Sequence, residues 1–371
     1  MAGRTVTLVG YPFAPTGMGE HLRVTLHALR AAGVEVRLLD VADTRSHPDP
    51  AFEPLRSLVT DRLGGLNVFC VNADEVDRVI DALGRAAFTS ATNVIYPAWE
   101  LARYPAPYAR AVAQFDEVWA PSVFIRDAIA GAIGRPAHDI PLAVAPRVSR
   151  FLSRRYFDIP EAPFTVLFFF DFASYAERKN PGAVLSAFEQ LVARRPEADL
   201  HCVMKVRGVP ADRRARDAFQ ARLAALGERV QTLEGDFTDN EIKNLIRVCD
   251  VFVSLHRSEG FGRGSAEAMA MGRPAIATGY SGNVDFMPPG TALLVDYDLV
   301  PVAPGAYPHG EGQVWAEASA EHASRLIEGL FDDPRAAAAL GERGRRHVRE
   351  TLSYEAVGAR FLARLNALQR A

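Results

Sequence analysis

The chain has 371 residues, of which 49% are hydrophobic and 23% charged, and its formal net charge is −3. That length is generous for one core and comfortable for two domains. The balance is that of an ordinary soluble globular protein, which excludes a disordered or fibrous chain, and the charge gives no electrostatic footprint for nucleic acid.

Short β-branched runs alternate with helical patterns from end to end. "RTVTLVG" reads as a strand, "EHLRVTLHALRAAG" from Glu20 as an amphipathic helix closed by Gly33, and "VEVRLLD" as the next strand. The alternation continues through "LNVFCVN" (Leu66 to Asn72), "DEVDRVIDALG" (Asp74 to Gly84), "NVIYP" (Asn93 to Pro97) and "DEVWA" (Asp116 to Ala120). Strands separated by helices imply right-handed crossovers and a parallel sheet covered on both faces. Around Phe151 to Pro163, charges and two prolines interrupt the pattern and predict a linker.

The pattern then restarts. "FTVLFFFD" from Phe164 is almost wholly apolar, as a strand buried on both faces should be. Asn180 and Pro181 predict a capped helix start. "LHCVMKV", "VQTLEG", "VFVSL", "PAIATG" and "ALLVD" supply further strands, and the tail from about Ala318 is helical. The fold class is therefore α/β, with two doubly wound sheets in tandem and ligands expected at the carboxyl ends of strands, in a cleft between the domains. Cys70, Cys202 and Cys249 lie far apart in apolar surroundings, without metal-ligand or disulfide spacing. No apolar run is long enough to span a bilayer and the N-terminus lacks a signal-peptide core, so the expectation is a cytoplasmic protein.

The densest chemistry lies in "HRSEGFGRGSAEAMAMGRPAIATGYSGN", from His256 to Asn283. Gly260, Gly262 and Gly264 occupy a strand-to-helix turn between Glu259 and Glu267. Such a turn offers free amides and a helix dipole to an anion. The pattern places Glu267 in the first turn of the following helix, where it would also suit the dipole as an ordinary structural partner. Carboxylates on either side of an amide cradle suit a ligand carrying both phosphate and hydroxyls.

These residues resemble the signature of the retaining glycosyltransferases of family four, which have the GT-B fold: "EGFG", then "EAMAMGRPAIAT" and "SGN". The resemblance is dense from Asp250 to Asn283 and looser over most of the chain. It implies an N-terminal acceptor-side domain over 1–155, a nucleotide-sugar domain over 156–353 and a terminal helix over 354–371 that crosses back to the first domain. By the same resemblance Glu259 would contact the transferred sugar and Glu267 the ribose, while amides around Phe261, Gly262, Arg263 and Gly264 would face the sugar and diphosphate. Lys179 matches the family's lysine, with Arg178 beside it; the family's arginine six positions earlier is replaced by Ala173, so Arg178 or Arg263 would supply that charge. Gly17 and Gly19 resemble the family's glycine turn at the donor phosphate or acceptor. Helix-surface placement is the commoner fate of a histidine such as His21.

For the acceptor, strand mouths in the first half offer His21, Asn72, Asp74, Trp99 and Glu100. An aromatic face there could stack on a sugar, or could simply be core. His256 and Arg257 lie beside Glu259 as supporting groups. The family uses no metal, and "DYD" at Asp296 is badly placed for one. The expected reaction moves a sugar from a nucleoside-diphosphate sugar to a hydroxyl of a glycan or small molecule with retention, with no further cofactor; peripheral membrane contact stays open. The alternatives are a sugar-nucleotide epimerase, a glycoside phosphorylase, or a catalytically silent sugar-nucleotide-binding protein on the same scaffold.

Overall fold

A computed structural model of the chain describes residues 5–42, 52–208 and 213–368. It forms two compact units, Met1–Val144 with Glu350–Ala371, and Ala145–Arg349.

The first unit holds a six-stranded parallel sheet of β1 (Thr5–Gly10), β2 (Glu35–Asp40), β3 (Leu66–Phe69), β4 (Thr92–Ile95), β5 (Glu117–Ala120) and β6 (His138–Asp139), in the order β2-β1-β3-β4-β5-β6. The helix after β1 runs over Gly17–Ala31, three residues earlier than the pattern from Glu20 predicts, because the Thr16 side chain caps it by accepting from the Gly19 amide. The last helix, Tyr354–Leu368, packs on Gly17–Ala31: Gly358 lies so close to the Ala28 carbonyl that a side chain would not fit. Its Arg364 reaches the buried Glu117 of β5 (Nε to Oε1, 2.6 Å).

The second unit is built on β7 (Phe164–Asp171), β8 (Leu200–Arg207), β9 (Val230–Glu234), β10 (Val251–Ser254), β11 (Ala275–Thr278) and β12 (Leu293–Val295), all parallel, in the order β12-β11-β10-β7-β8-β9. One face packs Val166, Phe168, Phe170, Met204 and Val253 against the helices Pro181–Arg194 and Ala320–Asp332. Central strands covered by helices on both sides explain the unbroken apolar run of β7. A hairpin that the sequence pattern does not announce, β13 (Tyr297–Pro301) with β14 (Val314–Ala318), adds a separate antiparallel pair. The segment 151–163, a linker by composition, belongs to this unit: the Arg154 guanidinium donates to the carbonyls of Pro160, Glu161 and Pro163 and pairs with Asp250 at 2.8 Å. Among the described residues no helix is long and apolar enough to cross a membrane.

In each sheet the chain reverses its direction of growth once, between β1 and β3 in the first unit and between β7 and β10 in the second. At such a switch point neighbouring crossovers leave to opposite faces, which opens a crevice outside the carboxyl ends of the strands.

Candidate active site at the second switch point

Two loops meet outside β7 and β10. The β7 loop ends in a short helix, Ala176–Lys179, flanked by Tyr175 (φ 60°) and Asn180 (φ 48°) in left-handed conformation. The Asn180 side chain does not cap the following helix, contrary to the sequence expectation; its amide instead donates to Glu317 (2.9 Å). The β10 loop carries Glu259, whose backbone amide donates to Ser281 Oγ (2.8 Å) and whose carbonyl accepts from the Gly282 amide (2.9 Å). The "SGN" loop after β11 thus holds the glycine loop in place. A further tie runs from the Arg257 amide to the Arg178 carbonyl (2.8 Å).

The Glu259 carboxylate is the electrostatic centre. Lys179 Nζ lies 2.8 Å and Arg178 Nη1 3.3 Å from its Oε1, and His256 Nδ1 bonds the same oxygen. Burial opposes ionisation, but Lys179, then His256 and Arg178, outweigh it and hold the carboxyl well below its usual range. His256 is driven the other way: burial, then the Lys179 charge, lower it to about 4 against the opposing pull of Glu259, so the imidazole is neutral. Every hydrogen bond to the Glu259 side chain among the described residues falls on Oε1, leaving Oε2 to accept from elsewhere.

Glu267 repeats this arrangement. Lys243 Nζ (2.8 Å) and Arg263 Nη2 (2.7 Å) both bond its Oε1, and among the described residues Oε2 accepts no bond. Burial again opposes ionisation, while Lys243 and Arg263 lower the carboxyl's pKa. The helix spans Arg263–Ala270 with Gly262 as cap, so Glu267 falls beyond the first turn. Its charge is met by two cations rather than by the dipole, which corrects the sequence expectation. Arg263 pairs with Glu267 at this site. Lys243 is the residue the sequence reading missed. It comes from the helix Asp239–Val248, where it is only 4% exposed. A lysine on the apolar stripe of "EIKNLI" was the available signal.

The glycines divide by role. Gly262 has φ 94° and a Cβ there would lie 2.9 Å from Asn283 Cβ, so any side chain is strained and obstructed. Gly264 lies against the sheet: a Cβ would meet the rings of Phe252 at 2.7 Å and Phe169 at 2.9 Å. It therefore allows close helix–sheet packing, and the expected exposure of its backbone to a ligand is not its main reason. The Phe261 side chain is buried against Phe286, with centroids 4.9 Å apart, which leaves only its backbone for the loop. No side chain caps the amides that open Arg263–Ala270.

The sites expected in the first unit are largely occupied by the unit's own packing. Gly19 is required because Ala14 and Tyr11 carbonyls crowd it, and its amide already donates to Thr16; Gly17 faces open space. His21 is not a surface histidine: its ring is fully buried edge-on against Tyr96, and burial lowers it to about 3. Trp99 packs among Tyr104 and Tyr108 and donates to the Arg103 carbonyl, so its faces are not offered to a sugar. Asn72 Oδ1 accepts from the Ala98 amide (3.3 Å), joining two strand ends. Asp74 is exposed and Glu100 half-buried at those ends. Asp296 pairs with His322 (2.9 Å), and among the described residues no three His, Cys, Asp or Glu side chains gather as a metal site.

Residues 163–303 match the family described as glycosyl transferases group 1. The chain is 28% identical over 191 residues to a GDP-mannose-dependent monoacylated alpha-(1-6)-phosphatidylinositol monomannoside mannosyltransferase of Corynebacterium glutamicum, covering 50% of this chain and 43% of that protein. It is 32% identical over 111 residues to mannosylfructose-phosphate synthase of Agrobacterium fabrum, covering 29% and 24%. The chain thus spans less than half the length of these curated relatives. Among solved structures, a glycosyltransferase from Rickettsia africae aligns with a TM-score of 0.71 at 16% identity, over 98% of each chain. Anabaena HepE, crystallised with UDP and glucose, aligns at 0.69 and 14% identity, over 98% of this chain and 100% of that one. At these identities the likeness is one of fold.

Proposed function

We propose that this chain, whose residues 163–303 match the glycosyl transferases group 1 family and whose fold is like that of a UDP-binding neighbour, transfers a sugar from a nucleoside-diphosphate sugar to an acceptor hydroxyl with retention at the anomeric carbon. The observation that carries this reading is the pair of buried, ionised glutamates, each held by cations through Oε1 and each with Oε2 open. A rigid carboxylate with one free oxygen is a hydroxyl acceptor. Two of them flanking an uncapped helix start suit a sugar, a diphosphate and a ribose in series.

In this reading Glu259 Oε2 receives a hydroxyl of the transferred sugar and Glu267 Oε2 the ribose. As the bond from the anomeric carbon to the diphosphate oxygen breaks, negative charge grows on the leaving group. Lys179, Arg178 and the amides at Phe261–Arg263 stabilise it without having to reorganise. The acceptor oxygen bonds the anomeric carbon from the same face, and its proton passes to the departing phosphate oxygen. No protein base and no further cofactor is invoked. The Glu259 charge also favours the positive charge that develops on the sugar ring. Asp74 and Glu100, polar groups at strand ends of the first unit, are assigned to the acceptor.

The test is a thermal-shift panel of UDP, GDP, ADP and dTDP sugars, followed by calorimetry and turnover with the best donor, since a ligand that binds only the folded state raises apparent stability. Glu267→Ala should weaken both the donor and the free nucleotide by about 1.5–3 kcal/mol, the worth of a hydrogen bond to a charged acceptor. Glu259→Ala should spare the free nucleotide and depress turnover. Equal loss of free-nucleotide binding in both variants would overturn the assignment. Binding without turnover on any acceptor would favour a silent sugar-nucleotide-binding protein.

A further inference from the structure

The second unit has a cavity of about 530 Å³ at the opposite edge of its sheet, outside the amino ends of the strands. Phe164 opens β7, Asp250 precedes β10, and Arg273 and Pro274 precede β11; the far wall is Leu330, Phe331 and Pro334, at the corner between two helices. The volume is that of a small-molecule pocket, and the walls combine apolar side chains such as Phe164, Leu330 and Phe331 with charged ones.

One group in it feels the charge of Asp250 without bonding it. The Arg273 guanidinium makes no hydrogen bond or ion pair with any described residue, and its Nε is buried without a partner. The neighbouring carboxylates are committed elsewhere or face outward. Asp250 Oδ2 accepts from Arg154 (2.8 Å) and the Thr165 amide (2.7 Å), and both oxygens of Glu342 are held by Arg345. Glu161 and Asp199 are exposed at the rim. A planar guanidinium with open donors beside the apolar side chains of Phe164, Leu330 and Phe331 matches a carboxylate, which it binds through two parallel bonds. The four lining carboxylates against two arginines argue against a dianion such as a phosphate monoester.

We propose that this cavity binds a singly charged carboxylate with an apolar body, held through Arg273 and separate from the site at the glycine loop. This does not rest on the proposed transfer reaction, and the cavity is formed wholly within one unit.

Calorimetry on the full chain with octanoate, octanol and octyl phosphate tests it. Octanoate should bind saturably at one site, and octanol and octyl phosphate at least about tenfold more weakly, because octanol lacks the charge that the guanidinium pairs with and a dianion meets more repulsion from the lining carboxylates than a monoanion does. Arg273→Gln should lose octanoate binding by about tenfold or more while its unfolding midpoint without ligand stays close to that of the parent chain. Ala338→Trp, which narrows the cavity and leaves Arg273 in place, should weaken octanoate likewise, and it serves if Arg273→Gln folds poorly. No saturable binding of octanoate, equal binding of octyl phosphate, or undiminished binding in these variants would each overturn the proposal.

Discussion

The two switch points share a topology and differ in what fills them. In the second unit, Glu259 and Glu267 are each fixed on one oxygen by two cations, and among the described residues their other oxygens accept no bond. In the first unit, Tyr11 bonds Glu75, Arg78 joins both, and Arg23 donates to the Pro12 and Ala14 carbonyls (3.1 and 2.9 Å). The one crevice is therefore strongly charged and incompletely satisfied, while the polar groups at the other bond largely to one another. A parallel sheet supplies the crevice; the side chains decide whether it is a binding site. Buried charge with an open valence is costly to maintain, so its presence in one unit only marks where ligand chemistry is expected.

The sharpest way to break this comparison is to remove one anion from each unit. Glu259→Ala removes the buried carboxylate that Lys179 and Arg178 both bond and should cost about 3–5 kcal/mol of stability. Glu75→Ala removes an acceptor of Tyr11 and of the Asn72 amide and the partner of an Arg78 side chain that is 59% exposed, and should cost about 1–2 kcal/mol. Urea denaturation of the two variants gives the contrast; equal losses would abolish it.

Acid should then act on both units through buried histidines, most strongly through His256 and His21. His256 and His21 are lowered from 6.5 to about 4 and about 3, chiefly by burial. A lowered folded-state pKa means that the unfolded chain takes up the proton first. The stability contributed is full above pH 6.5 and is lost as the pH falls toward 4 for His256 and 3 for His21. The slope is about 1.4 kcal/mol per pH unit for each histidine. His256→Asn should flatten the profile only down to about pH 4, whereas His21→Phe should flatten it further into acid. Unfolding midpoints across this range separate the two.

Smaller effects are expected from glycines. Gly262→Ala forces a side chain into left-handed backbone against Asn283, and should cost about 1–2 kcal/mol with loss of donor binding. Gly17→Ala meets nothing, and should fall within about 0.5 kcal/mol of the parent or stabilise it. The smallest effect expected on the donor is that of Glu100→Ala. It should raise the KM for acceptor and leave nucleotide-sugar affinity unchanged in calorimetry; a loss comparable to that of Glu267→Ala would put the acceptor assignment in error.

The carboxylate pair, the glycine turn and the lysine were legible because each is a local feature: a strand end, a turn residue, a charge before a helix. Their partners were not. Lys243 approaches Glu267 from a helix more than twenty residues upstream, and Ser281 supports Glu259 from the loop after another strand. Nothing in the spacing of either announces the contact. The same limit hid the burial of Trp99 and His21, since polar tips on apolar rings look alike whether they face a crevice or a core.

Two alternating α/β units and the glycine loop are written into the order of residues, because period and turn chemistry act within a few positions. The meeting of distant segments decides that Glu267 is neutralised by Lys243 and Arg263 rather than by a helix dipole, that Gly264 serves packing, and that the polar groups at the first switch point bond largely to one another. Those outcomes depend on which strands lie side by side, and burial and Coulomb interactions act between neighbours in space, wherever they stand along the chain.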